Sequence, residues 1–272
     1  MNNPPMLANL FARETPLDFK VHWVLRLTCF FCFLGHGAFG PITKTGWIPY
    51  FEVVGITGAA SLKLQPLVGV LDMLVAAAIL FFPLRAVLVH MIIWTFWTAL
   101  LRPLAGQGWF ELLERGGNYG IPLALLYLSG VKVPAKQWFT EKLEVVKLNA
   151  TNANTTAWIL RISISLLLIG HGGFGAFQQK QMLMNHWASV GISDWLIDPH
   201  IWIVCVGWFE IILGIAILFT MHPALVIFIL IYKLGTELMY VTAGDYMWEF
   251  VERWGDYGGP LALYYLYRFQ ND

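Results

Sequence analysis

The chain has 272 residues, of which 58% are hydrophobic and only 12% are charged, and its formal net charge is zero. Soluble domains carry charge on about a quarter of their residues. This composition therefore excludes an ordinary soluble domain and indicates an integral membrane protein in contact with the lipid bilayer. The balanced charge offers no basic surface to nucleic acid, so no nucleic-acid partner is expected.

Apolar runs predict four membrane-spanning helices in the first part of the chain. A polar segment, residues 1–20, precedes them and is expected to lie on the membrane surface. About 20 apolar residues are needed to cross a hydrocarbon core of about 30 Å as a helix. The runs cover about residues 21–40, 65–82, 86–101 and 118–130. Because the fourth is short, we expect its helix to begin earlier or to be shielded by its neighbours.

A basic linker, residues 131–156, follows, and the second part of the chain then repeats this plan. Its apolar runs cover about residues 157–175, 200–219, 224–241 and 256–267. We therefore predict three segments. They are a first four-helix membrane repeat with its N-terminal segment (1–130), the linker (131–156) and a second four-helix membrane repeat (157–272).

Polar residues recur in step with the apolar ones, which shared hydrophobicity alone would not produce. The sequence GHGAFG at residues 35–40 returns as GHGGFG at 170–175, and ERGGNYGIPLAL at 114–125 returns as ERWGDYGGPLAL at 252–263. Four spans per repeat is an even number, so both repeats enter the membrane from the same side and are parallel. The predicted fold is an all-α membrane protein of about eight transmembrane helices in two parallel four-helix repeats.

Lysine and arginine are more frequent on the side of the membrane that holds both termini. The four lysines of the linker lie on that side. Cytoplasmic loops carry an excess of these residues. The expected location is the bacterial inner membrane, with both termini in the cytoplasm.

Ionisable and aromatic polar residues recur where the spans of each repeat approach the opposite, outer side. A helical rise of about 1.5 Å per residue places the histidine and the carboxylate of each repeat at similar depth. We expect them to face an outer cavity, with a Glu-Arg pair at its mouth. The candidate ligand-binding residues are His36, Asp72, Glu114, Arg115, Tyr119, His171, Glu210, Glu252, Arg253 and Tyr257. The alternative is structural, with the charged residues satisfying one another inside the bundle.

One polar pair breaks the symmetry between the repeats. Lys233 and Glu237 lie at i and i+4 near the middle of the membrane, where the first repeat has Thr95 and Ala99. The two side chains can pair on one helix face. A charged pair at this depth is nevertheless a functional-site hypothesis by default, so both are added to the candidate ligand-binding residues.

The last span of each repeat is predicted to begin at a capping residue. Asn118 and Asp256 stand at the start of these spans, and their side chains are among those that best accept hydrogen bonds from the first backbone amides of a helix. Pro122 and Pro260 then fall in the first turn, where proline damages a helix least.

Each repeat has an arginine near the start of its first span, a His-Gly pair near its end and a lysine soon after. These residues are Arg26, His36 and Lys44 in the first repeat, and Arg161, His171 and Lys180 in the second. With its four-span plan, each repeat resembles the DoxX-like family of bacterial membrane proteins, and the resemblance covers nearly the whole chain as two fused copies. It implies a redox-associated membrane subunit linked to quinone chemistry, with other subunits of a membrane redox complex as partners. For many members of that family no activity is established.

The leading hypothesis is a DoxX-like protein that binds a quinone or a similar small molecule at the outer polar clusters. His36 and His171 would hydrogen-bond or exchange protons with it, and Asp72 and Glu210 would orient the two imidazoles. Two equivalent histidines also suit a bis-histidine haem, the alternative cofactor. The alternative functions are a small-solute transporter and a non-catalytic scaffold of a membrane complex. Whether the protein is an enzyme stays open.

Overall fold

Helices make up the regular secondary structure of the computed structural model, which describes residues 10–192 and 195–271. The segment 1–20, expected on the membrane surface, lies partly outside the described residues. Within the described ranges the α-helices are α1 (Leu17–Ile42), α2 (Ile48–Val53), α3 (Ala59–Phe81), α4 (Arg85–Leu104), α5 (Phe110–Glu114), α6 (Gly116–Leu128), α7 (Gln137–Thr140), α8 (Ala150–Ala176), α9 (Gln181–Ser189), α10 (Pro199–Phe219), α11 (Pro223–Thr242), α12 (Met247–Glu252) and α13 (Gly255–Asn271). A 3₁₀ turn, Thr45–Trp47, precedes α2.

The core helices run alternately up and down through the molecule. They are α1, α3, α4 and α6 in the first half (residues 10–130), and α8, α10, α11 and α13 in the second half (residues 150–271). The short helices α2, α5, α9 and α12 lie in the connections at one end of the bundle, which we call the loop end. The linker and the described ends of the chain lie at the other end. There the linker packs over the α3–α4 hairpin, because the amide of Leu143 donates to the carbonyl of Pro83 at 2.7 Å.

α1 and α3 approach closely because both present glycines at their contact. A Cβ atom on Gly37 would lie 2.8 Å from the carbonyl oxygen of Gly69, which leaves no room for a side chain. At the far end of α3, the guanidinium of Arg26 donates to two carbonyl oxygens, at 2.9 and 2.5 Å. Arg161 donates to the last carbonyls of α10 in the same way. In both halves an arginine thus satisfies a helix end that would otherwise be unpaired.

The first helix of each half packs against the last helices of the other half. α1 contacts α12 and α13, and α8 contacts α5 and α6. At two glycines the backbones of the two halves approach too closely for any side chain. A Cβ atom on Gly35 would lie 2.7 Å from Cα of Glu252, and one on Gly170 would lie 2.5 Å from Cα of Glu114. The halves are therefore interlocked, since each supplies part of the packing surface that the other requires.

Five helices in the described part of the chain are long and apolar enough to cross a membrane, namely α3, α4, α8, α10 and α11. Their outward faces carry exposed apolar side chains, such as Leu74, Ile93 and Ile231, as expected of helices that contact lipid. The prediction of an all-helical protein is confirmed. The prediction of membrane-crossing helices agrees with these five helices. The number of eight spans stays a prediction, because α1, α6 and α13 are more polar or shorter.

α8 begins at Ala150, inside the segment 131–156 that the sequence predicted as linker. The reason is a reciprocal cap just before it. The Asn149 side chain accepts hydrogen bonds from the amides of Thr151 and Asn152, and the Asn152 side chain accepts from the amide of Asn149. This pairing satisfies the first amides of the helix and lets it start before the apolar run does.

The predicted N-caps of the last helix in each half were wrong. α6 begins at Gly116 and α13 at Gly255, directly after the turns formed by α5 and α12, so Asn118 and Asp256 lie inside the first turn. The amide of Asn118 donates to a backbone carbonyl of the preceding turn at 2.9 Å. The Asp256 carboxylate lies 3.4 Å from Lys233 instead of capping the helix.

Candidate functional site

Each half holds a histidine that is hydrogen-bonded to a buried carboxylate of the adjacent helix. Nδ1 of His36 lies 2.8 Å from Oδ2 of Asp72, and Nδ1 of His171 lies 2.7 Å from Oε2 of Glu210. The carboxylates are 0% and 1% exposed. A carboxylate in this position fixes the orientation of the imidazole and leaves Nε2 for a ligand or a proton. The predicted pairs are present, and their role in function stays a prediction.

An apolar cleft of about 210 Å³ lies beside His36, between α3 and α4 and next to α2. The indole of Trp47 stacks on the His36 imidazole, with ring centroids 4.7 Å apart. At the loop end of the cleft, Arg102 donates a hydrogen bond of 2.7 Å to the hydroxyl of Tyr50. The rest of the lining is mostly aromatic and aliphatic, including Phe51, Val54, Val68, Trp94, Trp97 and Leu101. The cleft, which we call the first-half cleft, exists because α3 packs chiefly on α1, and α4 packs chiefly on α6.

The corresponding space in the second half is almost filled. The cavity beside His171 measures only about 10 Å³. The ring of Tyr232 reaches into it, and its hydroxyl donates to Oε1 of Glu210 at 3.0 Å. His186 of α9 borders the same space and packs on Tyr240 with ring centroids 4.2 Å apart. Both halves thus have the histidine–carboxylate pair, but within the described residues only the first has a sizeable cavity beside it.

A polar cavity of about 520 Å³, the vestibule, opens between the two halves at the loop end. Cations and anions line it in equal number: Lys44, Arg102, Arg115, Lys180 and Arg253, and Glu111, Glu114, Asp245, Glu249 and Glu252. Trp47, Tyr50 and Arg102 line both the vestibule and the first-half cleft. The apolar cleft therefore has a polar, water-accessible space at its loop end.

Ion pairs cross the vestibule from one half to the other. Lys44, from the loop after α1, pairs with Glu249 of α12. Lys180, from the loop after α8, pairs with Glu111 of α5. The two lysines singled out by the family resemblance therefore each neutralise a carboxylate of the opposite half. These ion pairs reinforce the interlocked packing.

The Glu-Arg pairs that the sequence predicted at the mouth of the cavity do line the vestibule. Arg115 contacts Glu114 and lies 3.2 Å from Glu111 one helical turn earlier. Arg253 lies 2.8 Å from Glu249 in the same arrangement. Each guanidinium is thus held by two carboxylates of its own turn, which fixes the turn before the last helix of each half.

The vestibule arginines depress the pKa values of the glutamates that surround them. Burial alone would raise the pKa of Glu114, but Arg115 and then Arg253 outweigh it and lower that pKa to about 2. Burial would also raise the pKa of Glu249, but Arg253 and then Lys44 outweigh it and lower that pKa to about 2. A carboxyl whose pKa is lower in the folded state stabilises the fold above its unfolded pKa, and this stabilisation is lost as the pH falls through the folded value.

We expect the protein in detergent to lose thermal stability as the pH falls from about 4.5 to about 2, the range between the unfolded and folded pKa values of these two glutamates. Melting temperatures measured by circular dichroism across this range test the expectation. Glu249→Gln should make the loss shallower, whereas Glu144→Gln, in the exposed linker, should leave it unchanged. An identical pH profile for Glu249→Gln and the wild type would contradict the assignment.

A buried chain of alternating charges runs from the second half to the vestibule. Lys233 and Glu237 are 0% exposed and pair with each other. Nζ of Lys233 also lies 3.4 Å from Asp256, and Oε2 of Glu237 lies 3.2 Å from Nε of Arg253. Arg253 then contacts Glu249 in the vestibule. The predicted Lys233–Glu237 pair is therefore part of a larger network rather than an isolated couple.

No family model, no curated protein and no solved structure matches the chain. Similarity to the DoxX-like family therefore depends on the arginine, histidine and lysine of each half, and it stays a prediction.

The structure separates the predicted site residues by location. His36 lines the first-half cleft and is held by Asp72, and His171 and Glu210 line its filled counterpart. Glu252 of the second half and Arg115 both border a small space next to His36, so residues of both halves meet there. Tyr119 and Tyr257 lie elsewhere, with hydroxyls that donate to backbone carbonyls of α5 and α12.

Several residues of the site were not predicted from the sequence. Trp47, Tyr50 and Arg102 form the border between cleft and vestibule, and Tyr232 fills the second-half space. Tyr232 lies 138 positions after Trp94, the same spacing as between Asp72 and Glu210, so an aromatic ring recurs at this position of the repeat. Among the described residues, no three His, Cys, Asp or Glu side chains form a cluster suited to a metal ion.

Proposed function

We propose that this chain is an eight-span, DoxX-like protein of the bacterial inner membrane that binds a quinone or a similar amphipathic small molecule in the first-half cleft. It serves as a subunit of a membrane redox complex. One observation carries the proposal: an apolar cleft of about 210 Å³ has the carboxylate-paired imidazole of His36 in its wall.

The eight spans comprise the five long apolar helices together with α1, α6 and α13. α1 has 26 residues and is about 39 Å long at the rise of an α-helix. α6 has 13 residues and α13 has 17, and both pack against α1 and α8. Neighbouring helices therefore shield them from lipid over much of their length. The excess of basic residues on the linker side supports cytoplasmic termini.

The size and lining of the first-half cleft suit a substituted six-membered ring. An apolar cavity of about 150 Å³ is sufficient for benzene. Trp47 and Trp94 offer aromatic faces and edges to such a ring. The His36 imidazole, oriented by Asp72, can donate or accept a hydrogen bond and can transfer a proton. Arg102 adds a positive charge at the border with the vestibule, where a polar head group would lie.

A ligand dissolved in the bilayer can reach the first-half cleft from the side. The cleft lies between α3 and α4, whose exposed faces carry Leu67, Val70 and Ile93. The vestibule supplies water and protons at the opposite border. In this role the chain binds and orients the quinone and supplies a proton at His36, while electrons are exchanged with a partner subunit.

We expect His36→Ala to weaken binding of a short-chain ubiquinone analogue about tenfold, because a hydrogen bond worth about 1.5 kcal/mol is lost. His171→Ala is the matched control, since the second-half space has no room for the ring, and it should bind as the wild type does. The measurement is equilibrium binding to purified protein in detergent, followed by quenching of tryptophan fluorescence. Equal affinities of the wild type and His36→Ala for the ubiquinone analogue would contradict the proposal.

A scaffold without a ligand is the second candidate, and the ion pairs across the vestibule favour it. Two ion pairs join the halves, Lys44–Glu249 and Lys180–Glu111. A structural role therefore accounts for these charges without a bound substrate. A wild-type protein that binds no quinone analogue, together with loss of an assembled membrane complex in Lys44→Met, would support this candidate.

A further inference from the structure

Two buried polar groups, one on the carboxylate that holds His36 and one on a residue of the cleft wall, have no hydrogen-bond partner. They are Oδ1 of Asp72, which is an acceptor, and Nε1–H of Trp94, which is a donor. Asp72 is 0% exposed, and its other oxygen holds His36. Trp94 lines the cleft. Buried groups of this kind are nearly always paired in native proteins, because leaving them unpaired costs about 1–3 kcal/mol each.

The second half shows how the same two positions are satisfied. Glu210 takes the place of Asp72, and Tyr232 takes the place of Trp94. There the phenolic hydroxyl of Tyr232 donates directly to Oε1 of Glu210 at 3.0 Å. One hydroxyl group on an aromatic ring thus closes the space and supplies the donor that the buried carboxylate needs.

We propose that the ligand of the first-half cleft bears a hydroxyl group on an aromatic ring, as a hydroquinone or a phenol does, and that Tyr232 is its built-in counterpart in the second half. This inference deepens the proposed function and rests on it. A ring hydroxyl donates to Oδ1 of Asp72 and accepts from the indole of Trp94, so it satisfies both groups. The carbonyl oxygen of an oxidised quinone can only accept, and it would leave the carboxylate unpaired.

Two consequences follow from this arrangement. The cleft favours the reduced ring over the oxidised ring, because hydrogen bonds to a charged acceptor are stronger than those between neutral groups. Each chain binds one ligand, since the second-half space is already occupied by Tyr232. Asp72 and Trp94 are then the residues that determine which oxidation state binds.

The test compares the affinity of a short-chain hydroquinone with that of the matching quinone, under anaerobic conditions, in purified full-length protein. The wild type should bind the hydroquinone about tenfold more tightly, with one site per chain. Asp72→Asn replaces an acceptor by an amide that can donate to a carbonyl, so the preference should disappear or reverse. Glu210→Gln, the same change in the filled space, should leave the preference unchanged.

A second variant keeps the inference testable if Asp72→Asn does not fold. Trp94→Tyr places a phenol where the second half has one, and its hydroxyl should donate to Asp72 as Tyr232 donates to Glu210, so the preference for the hydroquinone should disappear. If the wild type binds both forms equally and Asp72→Asn changes nothing, water satisfies the carboxylate. The inference that the ligand bears a ring hydroxyl is then wrong, while the proposed binding of a quinone is not contradicted. If neither form binds the wild type, the proposed function fails as well.

Discussion

Replacing Lys233 by threonine is expected to lower the free energy of unfolding by about 3–5 kcal/mol, the penalty typical of removing one partner from a buried charge pair. The substitution leaves the carboxylates of Glu237 and Asp256 in the interior without the ammonium group that neutralises them. Both carboxylates are less than 5% exposed, so water cannot take over this role. Unfolding in detergent, followed by circular dichroism against increasing denaturant, gives the measurement.

The first half of the chain supplies a matched control for this substitution. Its equivalent positions hold Thr95, Ala99 and Asn118, and the hydroxyl of Thr95 lies 3.2 Å from the backbone carbonyl of Asn118. A triple variant with Lys233→Thr, Glu237→Ala and Asp256→Asn copies this neutral set into the second half. It should recover most of the stability, because no buried charge is left without its partner. A triple variant as unstable as the single one would show that the network stabilises the fold through more than charge balance.

Replacing Gly35 or Gly170 by valine is expected to destabilise the protein by about 3 kcal/mol or more and to reduce its accumulation in the membrane. A Cβ atom at either position meets backbone atoms of the opposite half, at 2.7 Å for Cα of Glu252 and 2.5 Å for Cα of Glu114. Backbone cannot move aside as a flexible side chain can, so the halves must separate. Thermal unfolding in detergent and the amount of inserted protein are the two measurements.

Gly235 is the control for the glycine substitutions. It lies on an exposed face of α11, and a Cβ atom there meets nothing within 4 Å. Gly235→Val should be neutral or slightly stabilising, because valine has a higher helix propensity than glycine. If all three variants behave alike, the close approach of the halves does not determine stability, and the interlocked packing would need another explanation.

The fold class could be predicted from the sequence because its signal is local. Each long apolar run depends only on neighbouring residues, and the long helices lie where these runs place them. Helix ends were less predictable. Asp256 has the chemistry of a cap, yet its carboxylate contacts Lys233 because a buried ammonium group attracts it more strongly than the helix amides do.

The candidate site could be predicted only in part. The sequence correctly predicted two pairs, His36 with Asp72 and His171 with Glu210. The helical rise shows that the residues of each pair lie at equal depth on adjacent helices. The difference between the halves was not predictable, because it depends on whether one aromatic ring fills a space. Trp94 and Tyr232 are both large and aromatic, and only the packed structure shows that the second reaches the carboxylate while the first leaves a cleft.

The interlocked packing has a consequence for how the chain is made. Lys44 and its partner Glu249 lie 205 positions apart in the sequence. At a synthesis rate of about 5–20 residues per second, roughly 10–40 s pass between the synthesis of α1 and that of α12. During that interval the surface of α1 around Gly35 lacks the backbone of α12 that covers it in the folded protein. The close contact at Gly35 can therefore form only near the end of translation, after most of the chain has been made.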